Sequence, residues 1–184
     1  AQVNSWIATY GRPGSGKLER HELAELLHHI HPEAGEPDPR ALDLLIVQAT
    51  EVKVYSLHLK GDPNGAVGHD MLMSVVSGYS TFLLASAAFD QRSIEGVVRL
   101  RDLPALMRHA NGGMAYEARE VDFVLDCTTS SIGGAVDSDF AVERQDLVPA
   151  MTVMAMKVSE VPADLGGTGP IQEEEDSTGT NDEG

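Results

Sequence analysis

Cysteine is almost absent: Cys127 is the only one in 184 residues. No disulfide can close within one chain, which suits a reducing compartment and leaves the fold to packing. Aromatic side chains are scarce too, with one Trp, four Tyr and four Phe. A core must then be assembled from Leu, Val, Ala and Met, which favours packed helices over a sandwich of strands. Basic residues are few, 13 Lys and Arg against 29 Asp and Glu, for a formal net charge of −16. That balance argues against a nucleic-acid partner and for a basic protein surface or helix as the complement. No uninterrupted apolar run approaches the roughly eighteen residues of a membrane span; the longest candidate, around Phe82–Ala88, is broken by Ser86. The expectation is therefore no membrane span and a cytoplasmic or cytoskeletal location. The chain starts at Ala1 rather than Met, and a targeting peptide already removed would leave no trace.

What the sequence does contain is a repeat. Four segments align without gaps: Gly16–Leu27 (GKLERHELAELL), Gly65–Val76 (GAVGHDMLMSVV), Gly96–Met107 (GVVRLRDLPALM) and Phe140–Met151 (FAVERQDLVPAM). Each has an aliphatic residue two places after the first, namely Leu18, Val67, Val98 and Val142. Each has Leu five places later, and apolar residues close the segment. Three of the four begin with Gly.

Over residues 6 to 157 this pattern resembles the EF-hand superfamily, the calmodulin, troponin C and myosin light chain group. The resemblance implies an all-α fold of four helix-loop-helix units in two EF-hand pairs. Short β-bridges would join the paired loops, Leu18 with Val67 and Val98 with Val142. The N-terminal pair would occupy residues 1–79, with loops 11–22 and 60–71. The C-terminal pair would occupy 80–160, with loops 91–102 and 135–146. Helical spacing of Leu42, Leu45, Ile46, Ala49 and Val52 predicts a helix over Pro39–Leu59. Met71–Ser77, Thr81–Phe89, Ala105–His109 and Glu117–Cys127 are further expected helices, with Gly78 as a break between lobes and Asn111–Gly113 as a turn. Residues 161–184 carry Gly, Thr, Pro and acidic residues in place of the apolar pattern, predicting a disordered acidic tail. Eight carboxylates without a Lys or Arg, from Glu160 to Glu183, supply half of the net charge.

In that family calcium is held by oxygens from loop positions 1, 3, 5, 7, 9 and 12, with a Gly at position 6 and a bidentate Glu at 12. Loop 11–22 keeps Gly16, Glu19 and Glu22, but Gly11 and Pro13 replace the first two ligands. Loop 60–71 keeps Asp62 and Asn64, yet Lys60 stands at position 1 and Met71 at position 12. An ammonium there opposes a cation directly. Loop 91–102 offers Gln91, Ser93, Glu95 and Asp102. Loop 135–146 is the richest, with Asp137, Asp139, Glu143 and Asp146, although Ala135 holds position 1 and Phe140 the Gly position. The candidate metal ligands are thus Asp137, Asp139, Glu143 and Asp146, then Glu19 and Glu22, and the expected cofactor is none or weakly bound calcium. Pro104 and Pro149 follow position 12 closely, so the exit helices should start late with Asp102 and Asp146 as N-caps.

Three other motifs compete. Gly11–Lys17 matches most of a phosphate-binding P-loop, but Leu18 stands where Ser or Thr must hold magnesium. His21, Glu25 and His28 share a helix face, with His29 and His31 near, which is commoner as a solvated face than as a zinc site. Met71, Met73, Met107, Met151 and Met154 fall in exit helices, where the resemblance implies a groove for a partner helix; ordinary core filling explains them equally. No catalytic constellation stands out, and Cys127 reads as inert core. The functional expectation is a non-catalytic, light-chain-like binding or scaffold subunit, clasping a basic amphipathic helix or sitting in a large assembly. The alternatives are a calcium sensor with one or two irregular sites, and the regulatory part of a larger enzyme or channel.

Overall fold

A computed structural model describes residues 1–51, 57, 59–130 and 136–159. The acidic tail and Ala135 lie outside them. The chain is mostly helical, in the order α1 (Gln2–Tyr10), β1 (Lys17–Leu18), α2 (Arg20–Ile30), α3 (Pro39–Thr50), β2 (Val67–Gly68), α4 (Leu72–Arg92), β3 (Val97–Arg99), α5 (Leu103–Ala110), α6 (Ala118–Thr129), β4 (Ala141–Glu143) and α7 (Arg144–Ser159).

The short strands form two antiparallel pairs. Leu18 faces Val67 in the first, and Val98 faces Val142 in the second. All four are buried. An aliphatic residue that must face its twin inside a core fixes this register, since a slip by one would turn it to solvent. It is the register that the repeat predicts. At Gly16 and Gly96 the backbone is left-handed, with φ of 65° and 78°, a conformation that glycine adopts without a steric penalty. Gly65 and Phe140 do not adopt it. Phe140 therefore fits there and leans on the core.

Two clusters of buried residues result. One gathers α2, α3, the first strand pair and the first half of α4, around Leu23, Leu26, Leu45, Ile46 and Tyr79. The other gathers the second half of α4, α5, the second strand pair and α7, around Phe89, Leu103, Met107, Leu147 and Met151. Phe82 packs against both.

The helix boundaries correct several expectations. Gly78 is no break: α4 runs 21 residues through it, because the helix is held there by packing on both sides. By length and composition alone α4 is long and apolar enough to cross a membrane; here its Leu72, Val75, Tyr79, Ala85, Ala88 and Phe89 are buried in the two clusters. The helix from Pro39 ends at Thr50, where Glu51 is extended with ψ of 146°; Val52, the last of its expected apolar positions, lies outside the described residues. Asp38 caps its start by accepting the Arg40 N–H at 2.7 Å, and Pro39 occupies the first turn, a position that tolerates its missing donor. Asp102 stands at the N-cap position of α5, but its side chain caps nothing. α7 does not start late. It begins at Arg144, so Asp146 lies within the first turn and Pro149 in the helix interior.

Candidate functional site

Most of the carboxylates expected to hold a cation are engaged by groups of the protein itself. Glu22, buried at the start of α2, accepts the Glu19 backbone N–H at 2.7 Å, half of a reciprocal capping box with Glu19. The Glu19 carboxylate also takes the Arg12 guanidinium at 3.1 Å. In the second strand pair, Asp139 pairs with Arg101 at 2.5 Å, and its carbonyl accepts from Arg99 at 2.6 Å. Asp137 accepts the backbone N–H of Asp139 at 3.3 Å and the Ser138 hydroxyl at 3.2 Å. Glu143 accepts from Gln145 at 2.8 Å, and Asp146 is exposed on the first turn of α7. Arg101 from the partner loop and Arg12 from the same loop thus bring positive charge to two of these carboxylates. Among the described residues no three His, Cys, Asp or Glu converge as a metal-holding group. These donors as placed do not fit a calcium ion, which needs six to eight oxygens about one point.

Arg20, not singled out from the sequence, ties the first strand pair together. It donates to the carbonyls of Pro63 at 3.0 Å and Pro39 at 3.1 Å and pairs with Asp43. One long side chain therefore fixes α2 to α3 and to the second loop, as a planar five-donor group can. Its signal in the sequence is only a position beside the aliphatic slot.

The methionines divide. Met107, Met151 and Met154 are buried in the second cluster, Met71 is partly buried against the first, and Met73 is 46% exposed. The expected partner groove is thus closed over most of its methionines. Two openings lie along α7. A cavity of about 380 Å³ lies among Arg40, Leu44, Phe82, Arg144, Val148 and Pro149. A smaller one, about 110 Å³, is lined by Arg119, Phe123, Met154 and Lys157, with the Lys157 ammonium 4.8 Å from the Phe123 ring centre. Met156, missed because it breaks the five-methionine pattern, is buried in the first cluster instead.

Three of the histidines on or beside that face have structural partners, while His21 is exposed. His28 meets the Gly35 carbonyl at 2.9 Å, His29 lies against the Tyr10 ring, and His31 reaches Ser80 at 2.9 Å. Glycine-rich Gly11–Lys17 leads into β1, and α2 opens only at Arg20, so no helix N-terminus follows the lysine as phosphate binding requires. Burial, reinforced by neighbouring Asp126 and partly offset by Lys157, pushes the Cys127 thiol up, away from the thiolate a nucleophile needs. Searches against protein-family models, curated proteins and solved structures each find no match for this chain.

Proposed function

We propose that the chain is a calmodulin-like, light-chain-like subunit that binds a protein partner without catalysis and with little dependence on calcium. Its two EF-hand pairs span residues 1–79 and 80–160, and its partner is a basic amphipathic helix or a larger assembly. The observation that carries this reading is a contrast within the paired loops. The aliphatic positions that hold the loops together are kept and buried, whereas the carboxylates are held by arginines and backbone amides. A scaffold needs the packing; a sensor needs free carboxylates that bind the ion better in one state than in another. The net charge of −16 supplies the complement to a basic partner.

Calcium titration of the full chain at low salt tests the reading. We expect no site tighter than about 0.1 mM, the weak end of such loops. A basic amphipathic peptide should bind equally in calcium and in chelator. Sub-micromolar calcium binding, lost in Asp137→Ala with Asp139→Ala, would instead make the fourth loop a sensor site. Loss in Glu22→Ala would place it in the first.

A further inference from the structure

The start of α3, the middle of α4 and the junction of β4 with α7 enclose the cavity of about 380 Å³. Small-molecule sites of roughly 300–1,000 Å³ combine an apolar floor with a few convergent polar groups. The floor here is Ala41, Leu44, Phe82, Val148 and Pro149. The rim carries charge of both signs, Arg40 and Arg144 against Asp38 and Glu143. Arg144 is answered by Asp90 in an ion pair, but the Arg40 guanidinium has no partner among the described residues. Asp38 and Glu143 take neutral donors, the Arg40 backbone N–H at 2.7 Å and the Gln145 amide at 2.8 Å, which leave their charge uncancelled. Pro149 adds a further acceptor. Its ring nitrogen cannot donate to the Gln145 carbonyl, which therefore lacks its helical donor four residues on, and both residues line the cavity.

We propose that this cavity binds a small zwitterion with an apolar side chain, of the class of free leucine or phenylalanine. Its carboxylate pairs with the Arg40 guanidinium, whose planar fork matches two oxygens. Its ammonium donates to the Gln145 carbonyl, beside the negative charge of Glu143. Its side chain covers Leu44, Phe82 and Val148, in exchange for water over an apolar floor. A ligand with a carboxylate alone leaves the acidic side of the rim unanswered, and one with an ammonium alone leaves Arg40 unanswered. A neutral apolar molecule leaves both. The site stands independently of the helix-binding reading and needs no bound calcium.

The test is calorimetric titration of the full chain with L-phenylalanine and with three analogues that each lack one feature. Hydrocinnamate has no ammonium, phenethylamine no carboxylate and glycine no side chain. L-Phenylalanine should bind about ten-fold or more tightly than any of them, the size of effect expected for one charge-assisted hydrogen bond or one buried ring. Arg40→Gln, at an exposed position, should bring L-phenylalanine down to the affinity of phenethylamine. Pro149→Ala returns a donor to the Gln145 carbonyl, and should bring L-phenylalanine down to the affinity of hydrocinnamate while hydrocinnamate itself binds both forms alike. L-Phenylalanine that does not bind, or that binds no tighter than the two singly charged analogues, overturns the proposal. So does an affinity that survives both Arg40→Gln and Pro149→Ala.

Discussion

Glu95 holds its backbone at φ of 54° beside Gly96 at 78°, and Ile94 and Val97 exchange backbone hydrogen bonds across them at 3.0 and 3.2 Å. Two successive left-handed residues between bonded neighbours make a type I′ turn, which favours Asn-Gly. A glutamate there costs of the order of 1 kcal/mol that a short polar side chain would largely avoid. Glu95→Asn should therefore raise stability by about 0.5–1 kcal/mol, read as a higher denaturant midpoint at unchanged slope. A lower midpoint would mean the Glu95 side chain contributes more than its backbone costs. The same residue-by-residue view explains the acidic loops. The candidate ligands other than Asp146 have local partners, among them Arg12 for Glu19, Arg101 for Asp139 and a backbone amide for Glu22. The sequence revealed the carboxylates but not these partners: Arg101 reaches Asp139 through the loop pairing, and Arg12 reaches Glu19 through the fold of its own loop.

Among the elements, α7 carries the clearest local conflict. Pro149 is its sixth residue, so its nitrogen cannot donate to the Gln145 carbonyl, and a proline in a helix interior is disfavoured by roughly 3 kcal/mol relative to alanine. Pro149→Ala should stabilise the fold, by about 1 kcal/mol or more once lost contacts at the neighbouring cavity are subtracted. A destabilised variant would show that the ring's packing beside Val148 outweighs the missing bond. That proline also shows where sequence reading failed. It was expected to delay α7 until after Asp146, yet the helix starts at Arg144 because β4 delivers the chain directly into it. Gly78 failed similarly: a glycine's weak helix propensity is local, whereas its use as a notch for Met156 depends on α7, distant in sequence. Strand pairing, by contrast, was legible to the residue. Leu18 and Val67, like Val98 and Val142, occupy equivalent places in a repeat, and burial leaves one register open to them.

For the whole molecule, the question is whether residues before and after position 80 form two units or one. The boundary expected there falls inside α4, which feeds Leu72, Val75 and Tyr79 to one cluster and Ala85, Ala88 and Phe89 to the other. Phe82 touches both clusters, and Met156 returns from α7 to the first. Helices shared in this way make partial unfolding expensive, since neither cluster can open without exposing apolar surface of the other. Phe82→Ala removes the shared ring. Truncating a partly buried Phe should cost about 2 kcal/mol, below the 3–5 kcal/mol of a fully buried one. The loss should appear in a single transition, with Trp6 fluorescence from the first cluster and helical dichroism from the whole chain moving together. If the dichroism instead splits into two steps, with Trp6 following only one, the two halves are independent domains joined by a helix. In that case the Met156 contact is too weak to couple them.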